Sequence, residues 1–225
     1  PWVDKDKAIL AFMAYPSPAF VVNTNLAKVE EFKSWQDLLN PKWKGKISIQ
    51  DPTKPGAGWS WFSTVGEKIM GYDFMRALAK QEPVVLRDWR QHVEWVAQGK
   101  QAIAIAPKSD TVAEFIGAGA PLKYAMPKEG VGLTPGSGSL AFVKKAPHPA
   151  ASRLFINWLL SREGILAFSK VQLAQSGRLD IATDFIPDEK MRQADVNYIW
   201  QDEEHYLRLP EHLRIAKEIF GHLVR

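Results

Sequence analysis

Two short segments carry the residue types from which a binding site is made. Gly56-Ala57-Gly58-Trp59-Ser60 joins two glycines to an indole and a hydroxyl, and Ser109-Asp110-Thr111 sets two hydroxyls around a carboxylate. Each stands at the expected start of a helix. There the first backbone N–H groups lack intrahelical acceptors, and the helix dipole favours an anion. Such groups hydrogen-bond to a carboxylate, phosphate, phosphonate or sugar hydroxyl. Asp110 has the opposite sign, which suits an ammonium or hydroxyl of a zwitterionic or sugar-like ligand, or a second cap. Plainer roles compete: a tight strand-to-helix turn at 56–60, an N-cap at Ser109, and core packing for Trp59 and Trp61.

Catalytic constellations are missing. The five histidines are His92, His148, His205, His212 and His222, and none has the His-Glu-x-x-His spacing of a zinc hydrolase. Glu203-Glu204-His205 and Glu211-His212 read as solvated helix faces. Gly136-Ser137-Gly138 lacks the spacing of a nucleophile elbow, and no phosphate-binding Gly-x-x-x-x-Gly-Lys-Ser/Thr loop occurs. Cysteine is absent, which removes disulfides, thiolate metal sites and thiol nucleophiles together. No metal or cofactor is expected. An enzyme would have to use Asp110 or Asp88 as a general base, since a fold alone does not fix a function.

The elements that would position the two segments alternate. Residues 46–50 alternate apolar and polar side chains as a half-buried strand does. Phe62, Val65 and Ile69 recur at helical spacing until Gly71, and Asp73 is an expected N-cap beyond it. Residues 83–86 read as the next strand. Asp88 then caps a helix with Trp89, Val93 and Val96 on one face. Residues 102–106 form an apolar strand, and a helix to Ile116 follows. Strands at 122–126 and 140–143 come next. Pro149 suits the first turn of a helix whose Ala151, Leu154, Phe155, Trp158 and Leu159 form one apolar face. The last forty residues read as amphipathic helix, with Ile215, Ile219 and Leu223 as its buried stripe. This order predicts an α/β domain with a mostly parallel sheet. Ligands of such sheets sit outside the carboxyl ends of strands, which directs attention to the loops after residues 50, 86, 106 and 126.

Composition narrows the class. The 225 residues are 46% hydrophobic and 24% charged, with a net charge of +4, as in ordinary globular proteins. No apolar run approaches the roughly 20 residues of a membrane span. The basic excess is spread along the chain, which argues against nucleic acid as a partner. Pro1 is not followed by the basic and apolar stretches of a secretion signal.

Ser34-Trp35-Gln36-Asp37-Leu38-Leu39, followed by Pro41-Lys42-Trp43-Lys44-Gly45-Lys46 and a strand ending in Asp51-Pro52, resembles a segment of the periplasmic solute-binding proteins of ABC transporters. Gly99 to Ala106, Pro127-Lys128-Glu129-Gly130, Ala141-Phe142-Val143 and the stretch from Ala150 to Gly164 resemble later parts of that family in the same order. The ferric-ion and spermidine/putrescine members carry close parallels. The resemblance implies a type II periplasmic-binding fold, in which two lobes close on a small solute and deliver it to membrane permease subunits. It places the protein in the periplasm or outside the cell, associated with the membrane through the transporter. A ligand-sensing ectodomain is an alternative on the same fold.

The family's chain path further implies that most of the first lobe is absent here. Residues 1–19 would be the end of that lobe and a hinge strand, and 20–136 the second lobe. Residues 137–182 would return to the hinge and first lobe, and 183–225 would pack helices on the second. Ser17, Ser137 and Ser139 would then stand near the hinge, with Gly56, Gly58, Trp59, Ser60, Ser109, Asp110 and Thr111 facing one cleft. Ferric-ion members carry a tyrosine pair where Ser109-Asp110 stand, so phenolate ligation of iron is not expected. Polyamine members place tryptophan and aspartate near the loop that reads Leu133 to Ser139 here, and neither residue is present. A polar, anionic or zwitterionic solute remains. Without the first lobe, the apolar face around Leu154, Phe155, Trp158 and Leu159 would need a partner chain or an exchanged segment to cover it.

Overall fold

The computed structural model describes residues 1–16, 19–187 and 191–224. Its chain forms two compact units. The larger comprises Ser17–Gly132, Asp195–Ile199 and His205–Arg225, and the smaller comprises Pro1–Pro16, Leu133–Ala194 and Trp200–Glu204.

The smaller unit opens with β1 (Ile9–Ala11) and β2 (Tyr15–Pro16). The larger unit contains β3 (Phe20–Asn23), β4 (Ile47–Gln50), β5 (Val84–Leu86), β6 (Ile103–Ile105) and β7 (Leu122–Ala125). These five form one sheet in the order β5-β4-β6-β3-β7. Helices α1 (Ala57–Ser63) and α2 (Tyr72–Ala79) connect β4 to β5, α3 (Trp89–Ala97) connects β5 to β6, and α4 (Ser109–Gly117) connects β6 to β7.

β4 runs parallel to both β5 and β6, whereas β3 is antiparallel to both β6 and β7. Four strands therefore point one way, as helical crossovers dictate, and β3 is reversed. The sheet is mixed where a mostly parallel one was expected. The reversed strand, Phe-Val-Val-Asn, is too short to show a period. It is buried along its whole length because both faces of the sheet are covered. Phe20 and Val22 point into one core with Ile47, Ile49, Ile103 and Ile105, while Val21 points into another with Val93, Val96, Ala104 and Val112.

Helix boundaries follow local chemistry. Asp88 accepts a hydrogen bond from the Gln91 N–H at 2.7 Å, capping α3 as expected. The other two expected caps shift. Ser109 is the first residue of α4, with Lys108 in the cap position and no side-chain cap. Gly71, at φ +82°, precedes α2, and Asp73 lies in the first turn instead, paired with Arg76. After Ser63, α1 continues as a π-helical turn over Thr64–Ile69.

The segment 139–162 lies in the smaller unit. β9 (Ser139–Ala141) pairs antiparallel with β1, and Phe142 and Val143 lie beyond it, exposed. Helices α5 (Pro149–Leu159) and α6 (Arg162–Gln172) pack there around Phe12, Met13, Leu159, Ile165 and Ala174. Pro149 begins α5 as its fixed φ favours. Leu159 is buried, but Leu154, Phe155 and Trp158 are exposed.

β8 (Val131–Thr134) and β10 (Tyr198–Trp200) join β2 in a three-stranded sheet of order β10-β8-β2. The chain passes from one unit to the other within both β8 and β10. β10 interrupts a region expected to be helical throughout. Its Tyr-Ile-Trp sequence has strong strand preference, and flanking bonds from Val131 N–H to Asn197 and from Gln201 N–H to Leu133 fix it. Helices α7 (Glu203–Leu207) and α8 (Leu209–Phe220) follow. α8 sends Ala216, Ile219 and Phe220 into the main core of the larger unit, with Ile215 and Leu223 packed beside them. No helix among the described residues is long and apolar enough to cross a membrane.

Candidate functional site

Because β4, β5 and β6 are adjacent and parallel, the loops that follow them emerge at one edge of the sheet of the larger unit. After β4, the Asp51 carboxylate turns back on its own loop. Its Oδ1 accepts the Thr53 N–H at 2.8 Å and the Thr53 hydroxyl at 2.7 Å. Its Oδ2 accepts Nε of Arg87, from the loop after β5, at 3.3 Å. The Gln50 amide donates to the Arg87 carbonyl at 3.0 Å. Two strand ends are thus tied together by a buried carboxylate and an amide.

The loop after β6 turns on Ala106, which is buried and has φ +55°. A non-glycine residue in this region carries strain of about 1 kcal/mol or more, held by the surrounding packing. The turn presents Pro107, Lys108 and the start of α4. Lys108 Nζ lies 4.8 Å from the centroid of the Trp89 ring, and Arg90 makes a bidentate pair with Glu114 at 2.8 Å. The first turns of α3 and α4 therefore stand side by side.

The residues singled out from the sequence divide by placement. Gly56 is exposed at φ +146° at this edge. Ser60 is half-buried. Ser109 and Thr111 are half-buried and Asp110 is exposed, all in the first turn of α4. Gly58 faces inward: a β-carbon there would lie 2.2 Å from the Gln50 carbonyl oxygen, so glycine is needed for α1 to approach β4. Trp59 is only 4% exposed. Its ring packs on His205, Tyr206 and His212 at centroid distances of 5.1, 5.7 and 6.2 Å. Ser139 is half-buried in β9 of the smaller unit. Ser17 and the Ser137 side chain lie outside the described residues.

Two histidines read as solvated are buried, His205 at 1% and His212 at 0% exposure. His205 Nε2 lies 3.0 Å from Ser63 Oγ. That hydroxyl is itself fully buried and bonds back to the Trp59 carbonyl at 2.8 Å. The serine–imidazole contact is a packing device with no surface for a substrate. Burial, followed by the charges of Arg208 and Lys68, lowers the His212 pKa against the opposing pull of Glu211. Among the described residues, no three His, Cys, Asp or Glu side chains are grouped to hold a metal ion.

Arg87, Trp89 and Lys108 stand on the loops and helix starts of this same edge, and the sequence did not single them out. The loop after residue 86 was marked, but Trp89 was assigned to the apolar face of α3. Val93 and Val96 are buried there, whereas Trp89 is 49% exposed. It shares their angular face, but it is the first residue of α3, one turn before the buried Val93.

The profile of bacterial extracellular solute-binding proteins matches residues 1–165. An uncharacterized protein of Haemophilus influenzae is 30% identical over 186 residues, or 79% of this chain. The chain spans about half the length of that curated relative (51%). The fold is similar to that of the periplasmic binding protein AfuA from Actinobacillus pleuropneumoniae, solved with exogenous fructose-6-phosphate bound. The TM-score is 0.72 at 23% identity, over 98% of this chain and 70% of that one. It also resembles the ferric binding protein of Campylobacter jejuni (TM-score 0.66, 15% identity, 98% and 71% covered). The spermidine/putrescine substrate-binding protein PotD of Streptococcus pneumoniae matches with TM-score 0.64 at 16% identity, covering 96% and 71%. The fold is thus that of the type II periplasmic binding proteins, and the chain belongs to the bacterial extracellular solute-binding protein family.

Proposed function

We propose that this protein is the solute-binding component of an ABC importer. It captures a small polar solute outside the cytoplasmic membrane and hands it, chemically unchanged, to permease subunits. The observation that carries this reading is the family match over residues 1–165. The sheet edge of the larger unit agrees with it. Backbone N–H groups, hydroxyls and cations gather there, while the serine–histidine contact is sealed in the core. In this reading those donors bind and orient the solute and leave its bonds intact.

Gly56, Ser60, Ser109, Asp110 and Thr111 are the ligand-facing residues of this reading, with Gly58 and Trp59 shaping the loop from behind. The expected solute is anionic or zwitterionic. The protein resides in the periplasm or outside the cell and reaches the membrane through its transporter.

Native mass spectrometry of the freshly purified protein tests the proposal. A retained small solute that is released, rebound and recovered unaltered supports it. Steady formation of a product, abolished by Asp110→Ala, would replace the transport reading with an enzymatic one.

A further inference from the structure

The smaller unit contains a cavity of about 220 Å³ whose walls come from stretches of chain far apart in sequence. Ala11 ends β1, Met13 follows it, Leu133 lies in β8 and Trp200 in β10. Backbone bonds hold these walls. The Met13 N–H donates to the Gly138 carbonyl at 3.3 Å and the Gln201 N–H to that of Leu133 at 3.0 Å. The Ala11 N–H donates at 2.8 Å to the carbonyl of Pro1, a further wall residue. Arg192 supplies the one charged side chain among the described lining residues.

That arginine is anchored at one end and open at the other. Its backbone N–H and its Nε both donate to Gln175 Oε1, at 2.8 and 3.0 Å. Its two terminal nitrogens have no partner among the described residues. A guanidinium held by Nε presents a planar fork that matches the two oxygens of a carboxylate. The rest of the lining selects the body of the ligand. An apolar cavity of about 150 Å³ accepts a benzene ring, so the larger volume here admits such a ring with a short acidic substituent. Trp200, half-buried, adds an aromatic wall. A polyol would lay hydroxyls against Met13 and Leu133 without partners, and an ammonium would meet the like charge of Arg192.

We infer that this cavity is a binding site for a small aromatic monocarboxylate, of the size of benzoate or phenylacetate. Arg192 pairs with the carboxylate, and Trp200 and Leu133 pack on the ring. The site uses none of the residues given above to the transported solute, so it stands or falls independently of the transport reading.

Calorimetric titration of the whole chain with benzoate, phenylacetate, benzyl alcohol, benzylamine and acetate tests this. At least one aryl carboxylate should bind saturably at one site. Benzyl alcohol keeps the ring without the charge, and acetate keeps the charge without the ring. Each should bind more weakly than the tighter aryl carboxylate by about tenfold or more, and benzylamine more weakly still. Arg192→Gln should weaken that carboxylate by about tenfold and leave benzyl alcohol unchanged, a split that loss of structure would not produce. Arg192 is exposed, so the variant keeps the fold. Labelling the nine tryptophans with ¹⁵N locates the site: the indole signal lost in Trp200→Phe should shift as the aryl carboxylate is added. Failure of both aryl carboxylates to bind overturns the inference. So does equal binding of acetate or benzylamine, unchanged carboxylate affinity in Arg192→Gln, or a Trp200 signal that does not move.

Discussion

Nε2 of His212 lies 3.1 Å from Oε2 of Glu67, and the other oxygen of that carboxylate pairs with Arg208. Glu67 belongs to the π-helical turn after α1, and both partners belong to the C-terminal helical region. The imidazole is fully buried while Glu67 is 16% exposed. One carboxylate therefore fixes the C-terminal helices to the first helix of the larger unit. Glu67→Ala leaves the His212 N–H and the Arg208 guanidinium without this acceptor. Stability should fall by about 1–3 kcal/mol, measured by urea denaturation, while solute affinity stays unchanged. An unchanged midpoint would show that the contact holds nothing.

Acid should destabilise the protein through its buried imidazoles. Burial pushes the His92 pKa down from 6.5 to about 4, and burial also lowers that of His212. Above pH 6.5 both are neutral in folded and unfolded chains alike. As the pH falls from 6.5 toward 4, the unfolded chain takes up protons that the folded one refuses, so stability declines through that window. For His92 alone the loss amounts to roughly 3 kcal/mol by pH 4. Denaturation at pH 7 and pH 4.5 measures it, and His92→Leu should flatten the difference. A variant as acid-sensitive as the parent would assign the effect to other groups.

These histidines also mark where a linear reading loses its grip. His212 and Ile219, seven residues apart on α8, share one helical face, and His205 lies on the preceding α7. Their neighbours Glu203, Glu204 and Glu211 gave the local stretch a solvated character, and the period was masked by polar side chains. The main alternation of strands and helices was legible, because β4, β5, β6 and β7 each end at a polar or proline-bearing loop. β3 was not, since Phe20 to Asn23 offers four buried residues and no alternation. The edge loops could be located from strand ends alone. Which indole faces solvent could not: Trp59 and Trp89 both lie in the first turn of a helix after a strand, and only the packing of α7 and α8 against α1 buries the first.

Gly58 and Gly56 should respond differently to the same substitution. A β-carbon on Gly58 meets the Gln50 and Asp51 carbonyl oxygens at 2.2 and 2.5 Å, which are backbone atoms that cannot swing aside. Gly58→Ala must push α1 off β4, with a cost of about 1–3 kcal/mol or more. A β-carbon on Gly56 meets nothing within 4 Å, but φ +146° is a conformation that only glycine adopts freely. Gly56→Ala should cost about 1–2 kcal/mol of backbone strain, without displacing α1. Thermal melts rank the two, and a larger loss at Gly56 than at Gly58 would contradict the close-approach argument.

The face of α5 should make this chain self-associate. Leu154, Phe155 and Trp158 are 73%, 54% and 45% exposed, and Phe142 is 44% exposed beneath Arg153. The Phe155 and Trp158 rings lie 5.9 Å apart, so the apolar side chains form a patch and are not scattered singly. Patches of this kind on soluble proteins are normally covered. In solution the uncovered face should seek a second copy. Sedimentation velocity across a range of concentrations should show a rising weight-average mass. Leu154→Ser combined with Phe155→Ser should suppress the rise. It should also leave the unfolding free energy within about 0.5 kcal/mol per site, because neither side chain is buried. A chain that stays monomeric at every concentration, or a double variant that associates as before, would exclude α5 as the adhesive surface.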